Sequence, residues 1–170
     1  MTIETLTFYA LGTVAIASAL LVVTRRNPVI SALFLIVNFF CLAGLYLTLH
    51  AQFIAVIQIL VYAGAIMVLF VFVIMLLNLG DERKLKEGIS WKKIVAAGIS
   101  FGLLMELLYI LGFSGQTHST IGAQRALEIG TAENIGAQLF TRFLFPFEVT
   151  SLILTVAIVG AIILAKRKID

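Results

Sequence analysis

Val61-Tyr62-Ala63-Gly64-Ala65-Ile66-Met67-Val68-Leu69-Phe70-Val71-Phe72-Val73 carries no charge and does not alternate polar with apolar residues. It lies inside a longer apolar run, Phe53 to Leu79, of roughly 27 residues, whereas about 20 are enough for a helix to span the hydrocarbon of a bilayer. No water is available there to satisfy backbone groups, and the period of a membrane β-strand is missing, so the run predicts a transmembrane helix. A helix this long must tilt, protrude or deform. Ala63-Gly64-Ala65 sets three small residues in a row, which permits close helix contact and makes local rewinding sterically cheap.

Working outward, four further apolar runs read the same way: Ile3 to Val23, Pro28 to Leu49, Ile94 to Phe113 and Pro146 to Ala165. The chain is 61% hydrophobic and 12% charged, too apolar to coat a soluble core. The predicted fold class is all-α: an integral membrane protein of five transmembrane helices, forming a single membrane domain over residues 1–170, with a polar loop over 114–142.

The charges orient it. Arg25 and Arg26 follow the first run, Arg83, Lys84, Lys86, Lys92 and Lys93 flank the junction of the third and fourth, and Lys166, Arg167 and Lys168 follow the fifth. Those ends alternate, so ten of the twelve basic residues fall on one side, leaving Arg125 and Arg142. The positive-inside rule makes that side cytoplasmic, with the N-terminus outside and the C-terminus in the cytoplasm. The net charge of +3 does not point to nucleic acid, because the basic residues sit at helix ends and form no compact patch. Ala17-Ser18-Ala19 has the form of a signal-peptide cleavage site, but its leading segment carries Glu4 and no basic residue.

Polar groups within the spans are the candidates for function. Gln58 and Tyr62 are one α-helical turn apart and share a face with Ala65, Ile66 and Leu69, either as glue to a neighbouring helix or as contacts to water in a proton path. Glu106 lies about 20 Å from the cytoplasmic edge at about 1.5 Å per residue, and is read either as a carboxyl kept neutral or paired with another chain, or as a proton relay. Glu148 follows Pro146; a proline at the first helical position puts Glu148 in the first turn, where the helix dipole accounts for a carboxylate, a role in outer-face proton exit being the alternative. Small-xxx-small spacings at Ala15/Ala19, Gly98/Gly102 and Ala157/Ala161/Ala165 predict close helix neighbours, some of them from other chains.

Other chemistries lack their residues. His50, His118 and Cys41 do not compose a haem, zinc or iron–sulfur ligand set of usual spacing, Cys41 has no partner for an intrachain disulfide, and there is no phosphate loop or dinucleotide fingerprint. Ile121-Gly122-Ala123-Gln124 recurs as Ile135-Gly136-Ala137-Gln138, too short an echo for a repeat architecture, and a short helix is expected near Ala123 to Ile129.

The segment Val61 to Met75 resembles the most distinctive stretch of the subunit J family of proton-pumping NADH:quinone oxidoreductases (respiratory complex I; mitochondrial subunit 6). Ile135-Gly136, Leu139-Phe140 and Phe147-Glu148-Val149 ahead of Ala157 and Gly160-Ala161 resemble a second block, and Arg25 to Val29 a third. The resemblance implies a subunit without a redox cofactor of its own, NADH, FMN, iron–sulfur clusters and quinone being held elsewhere in the complex. It implies a bacterial inner-membrane location, beside membrane subunits of the H, A and K types and an antiporter-like subunit. It also implies a π-bulge in the third helix, which carried over to this sequence falls within Gly64 to Phe70, with Tyr62 on the polar side and Gly64, Ala65, Leu69 and Phe70 as gating candidates. Switching of that bulge, the resemblance further implies, opens or closes a water path that couples quinone chemistry to pumping. Gln58 cannot titrate, so a relay there needs carboxylates from a partner. The alternatives are the equivalent subunit of a complex using ferredoxin or another donor, a purely structural packing subunit, and a small transporter, the last disfavoured by the nearly apolar midplane.

Overall fold

The computed structural model describes residues 2–77, 91–114 and 129–166, and every regular element among them is helical. The helices are α1 (Ile3–Thr24), α2 (Pro28–Thr48), α3 (Gln52–Leu76), α4 (Trp91–Ser114), α5 (Ala132–Thr141) and α6 (Leu144–Ala165). All but α5 are long and apolar enough to cross a membrane, so the chain is a multi-pass membrane protein of five spans. The expected short helix near Ala123 and most of the charged turn after α3 lie outside the described residues.

Local chemistry sets the helix ends. Asn27 caps α2: its Oδ1 accepts from the backbone N–H of Val29 at 3.0 Å and of Ile30 at 3.3 Å, and Pro28 occupies the first helical position, where no N–H is required. The other end of α2 closes with two backbone bonds, from His50 N–H to the Leu47 carbonyl at 3.0 Å and from Ala51 N–H to the Tyr46 carbonyl at 2.9 Å. That paired closure needs a left-handed residue just past the helix, and His50, at φ 61°, supplies it where glycine is usual. Within the spans, hydroxyls such as those of Thr13 and Thr155 bond back to carbonyls of the preceding turn, which removes their need for water.

α1, α2 and α3 form an antiparallel group with α2 in the middle. Leu11 of α1 packs over Gly44 of α2, Asn38 reaches Ala15 and Ser18, and the Arg25 guanidinium lies 5.9 Å from the Phe34 ring centre at the far end. The buried face of α1 therefore holds Ala15 and Ser18, whereas Ala19, paired with Ala15 by its spacing in the sequence, is exposed. A polar side chain on α2 selects the face here, because its amide is satisfied by Ser18 and the Ala15 carbonyl.

Two differences from the sequence-based expectation concern the last span. Helix α6 begins at Leu144, two positions ahead of Pro146, so the proline stands third and Glu148 falls beyond the first turn. A proline is as harmless there as at the first position, since the first four N–H groups of a helix have no intrahelical acceptor. The segment ahead of it, expected to be loop, also contains α5; Thr131 caps that helix by accepting from Asn134 N–H at 3.3 Å. Helix α5 touches the start of α3, and Phe140 meets Phe147 of α6 edge-on with ring centres 5.0 Å apart. Helix α4 packs against no other described helix, and α6 packs only against α5 among them.

Candidate functional site: the wide turns of the third helix

Helix α3 changes its winding midway. Gln52–Ile57 is α-helical, Gln58–Ile66 is π-helical, and Met67–Leu76 is α-helical again. At the exit of the wide stretch, the Met67 N–H donates to the Tyr62 carbonyl, five residues back instead of four. The wide turns thus begin at Gln58, ahead of the Gly64 to Phe70 interval expected from the resemblance, and overlap that interval only over Gly64–Ile66.

The winding decides which residues are buried. The inward positions of α3 are Ala55, Gln58, Ala63 and Met67, spaced three, five and four residues apart. The step of five lies within the π stretch; an α-helix would have continued from Gln58 to Tyr62 and Ala65. As a result Tyr62 is 45% exposed, and Ala65, Ile66, Leu69 and Phe70 are exposed too, so the shared face inferred from α-helical spacing is not the one buried among the described residues of this chain. Tyr62 keeps one ring contact with α2, an edge-on approach to Phe39 with ring centres 5.9 Å apart.

Gly64 sits where the wide turn brings a carbonyl close. A Cβ on it would stand 3.1 Å from the Ile59 carbonyl oxygen, five residues earlier, a tight contact that would make this carbonyl give by a few tenths of an ångström. Glycine leaves that carbonyl room in the π form. Gln58 is buried, with 7% of its surface accessible, and its amide finds no hydrogen-bond partner among the described residues. The amide is not sealed off entirely, since no fully enclosed side-chain N or O atom in the described chain lacks a partner. A nearly buried amide left unpaired is costly, so the remaining opening calls for a water molecule or a group from another chain.

The sequence-derived carboxylates are not part of this arrangement. Glu106 is exposed on α4 and Glu148 on α6, neither of which touches α3. A polar pair outside the sequence-derived candidates is Ser18 with Asn38: the Asn38 amide donates to the Ala15 carbonyl at 2.7 Å and to the Ser18 hydroxyl oxygen at 3.2 Å, and that hydroxyl itself donates to the Ala15 carbonyl at 2.9 Å. An asparagine in the middle of an apolar run was the available signal. Among the described residues no three His, Cys, Asp or Glu side chains come together as a metal site would require.

The fold and this stretch define a class: a small five-span membrane protein in which one helix is locally rewound beside a buried glutamine. The sequence profile of the family "NADH-ubiquinone/plastoquinone oxidoreductase chain 6" matches residues 18–164. The chain is 40% identical over 161 residues to NAD(P)H-quinone oxidoreductase subunit 6 of the organellar chromatophore of Paulinella chromatophora, covering 94% of this chain and 77% of that one. It is 35% identical over 166 residues to NADH-quinone oxidoreductase subunit J of Rickettsia bellii, covering 96% and 80%. To NAD(P)H-quinone oxidoreductase chain 6 of a Nostoc species it is 37% identical over 166 residues, covering 98% and 81%. The chain belongs to the chain 6, or subunit J, family of NADH-quinone oxidoreductases, the family of complex I.

Proposed function

We propose that this chain couples quinone reduction to proton translocation in the membrane arm of a complex I, by interconversion of Gln58–Ile66 between π and α winding. The observation that carries the reading is the nearly buried Gln58, its amide without a partner among the described residues, at the start of a π stretch that ends over Gly64–Ile66. Converting that stretch to α-helix would rotate the residues beyond it by roughly 100° relative to those before it. Leu69, Phe70 and Phe72 would then exchange places against neighbouring helices, and an apolar side chain would enter or leave a water path beside Tyr62. Two windings separated by a few kcal/mol can be biased by an event at a quinone site.

In this reading the chain holds no redox cofactor; NADH, FMN, iron–sulfur clusters and quinone belong to other subunits, and its neighbours are membrane subunits of the H, A and K types and an antiporter-like subunit. Its membrane is the bacterial plasma membrane, with the Ile3 end of α1 outside, a placement supported by the ten basic residues at the opposite ends of the helices. Gln58 contributes hydrogen bonds and no proton, so the titrating groups of the path come from partners. Structures of the assembled complex, resting and during turnover, test the reading: two windings of Gln58–Ile66 are expected, and one invariant winding in all states overturns it.

A second reading, a structural subunit that only packs larger ones together, draws on the outward faces of α4 and of nearly all of α6, which no other described helix covers. It is separated from the first by pumping measured with the complex fully assembled: a packing subunit loses pumping only together with assembly.

A further inference from the structure

The start of α3 is tied to a distant part of the chain. The Phe53 N–H, one of the first-turn donors that a helix cannot satisfy internally, donates to the Gly130 carbonyl at 3.2 Å. Gly130 lies flat against the α2–α3 turn: a Cβ there would collide with the His50 carbonyl oxygen and stand 3.2 Å from the Ala51 Cα. Its φ is not in the left-handed range, so the need for glycine is one of space. On the other side of the contact, His50 holds the left-handed conformation that turns its carbonyl toward Gly130. Immediately after Gly130, the capped helix α5 packs on Gln52–Ile57. The Met67–Leu76 half of α3 also packs on α2, through the buried Met67, but no other described segment is hydrogen-bonded to its last turn, where Leu76 and Leu77 are exposed.

We propose that Gly130 is a positioning residue, pinning the Gln52 end of α3 to the α2–α3 turn so that any change of winding in Gln58–Ile66 is expressed as rotation of Met67–Leu76 alone. The inference rests on the interconversion proposed above, and adds its direction. A change of winding rotates one end relative to the other, and a helix free at both ends divides that motion between them. Held through the Phe53 N–H, the Gly130 carbonyl and the His50 turn, the Gln52 end stays still, and the full rotation of roughly 100° falls on the residues beyond Ile66.

The test uses the whole assembled complex in mild detergent, with paired spin labels at Ile3 and Ile54 reporting the pinned end and at Val23 and Leu76 reporting the far end. In the otherwise unsubstituted complex, turnover is expected to shift the Val23–Leu76 distance and to leave Ile3–Ile54 unchanged. Gly130→Val is expected to broaden Ile3–Ile54 even at rest and to lower the protons moved per quinone reduced, with electron transfer from the donor to an artificial acceptor unaltered. Should Gly130→Val prevent assembly, His50→Ile attacks the same contact from the other side, because a β-branched residue resists the left-handed conformation, while His50→Gly keeps it and is expected to behave like the parent. An Ile3–Ile54 distance that shifts with turnover in the parent overturns the pin alone. The pin is likewise overturned if Ile3–Ile54 stays narrow in both Gly130→Val and His50→Ile. A Val23–Leu76 distance fixed in every state overturns the interconversion, and the directed rotation with it.

Discussion

Asn38 on α2 donates its side-chain N–H to the carbonyl oxygen of Ala15 on α1 at 2.7 Å, in the middle of both spans. A main-chain carbonyl in an α-helix keeps a second lone pair, and here two side chains use it, the Asn38 amide from across the interface and the Ser18 hydroxyl from its own helix. The α1–α2 pair is thereby fixed in rotation as well as in distance, and Phe39, the next residue along α2, is set against Tyr62.

Asn38→Ala is expected to remove both of its hydrogen bonds to α1, at about 0.6 kcal/mol each, the typical value for an interhelical hydrogen bond in a membrane. The loss is limited because the Ser18 hydroxyl still bonds the Ala15 carbonyl. Thermal stability of the assembled complex, compared with Ser18→Ala and with the double variant, checks it. Coupled, non-additive losses are expected, since the two side chains share one acceptor and contact each other.

Gly64→Ala and Gly64→Val should bias α3 away from the π form in increasing degree. In the π form a Cβ at position 64 would stand 3.1 Å from the Ile59 carbonyl oxygen, which must then give by a few tenths of an ångström, and alanine also favours the α-helix over glycine by about 1 kcal/mol. Quinone-linked turnover and pumping should fall, more for valine, while transfer from the electron donor to artificial acceptors continues nearly unchanged. A silent Gly64→Val in an assembled complex would remove the gating role of this glycine.

For Glu148→Gln, assembly and most of the activity should survive. The carboxylate is exposed and lies past the first turn of α6, where the influence of the helix dipole has faded. Pumping lost from a complex that assembles normally would show that the charge itself is used.

Cysteines introduced near Glu4, His50 and Thr131 should react with an impermeant reagent added to sealed cells, and those near Lys84 and Lys168 only after the membrane is opened. The described structure already groups His50 with Thr131, because Gly130 abuts the turn at His50. Modification of the Lys84 position from outside would reverse the orientation.

The five spans and their approximate ends were legible in the sequence, because continuous apolar runs have one backbone solution in lipid, and the family was legible in the resemblance carried by Val61 to Met75. The overlength of the third run and its Ala63-Gly64-Ala65 foretold a deformation, and the π stretch is present. Its start at Gln58 was not legible, nor was the buried line through Ala63 and Met67, because a change of winding offsets every later residue and spacing rules presuppose constant winding. Two contacts belong wholly to the tertiary structure: Asn38 on the Ala15 carbonyl and Gly130 against His50. Each joins segments far apart in the chain, through a main-chain carbonyl in one case and a missing side chain in the other. Main-chain acceptors are the same at every residue, and the room that a glycine leaves acquires meaning only when another segment fills it.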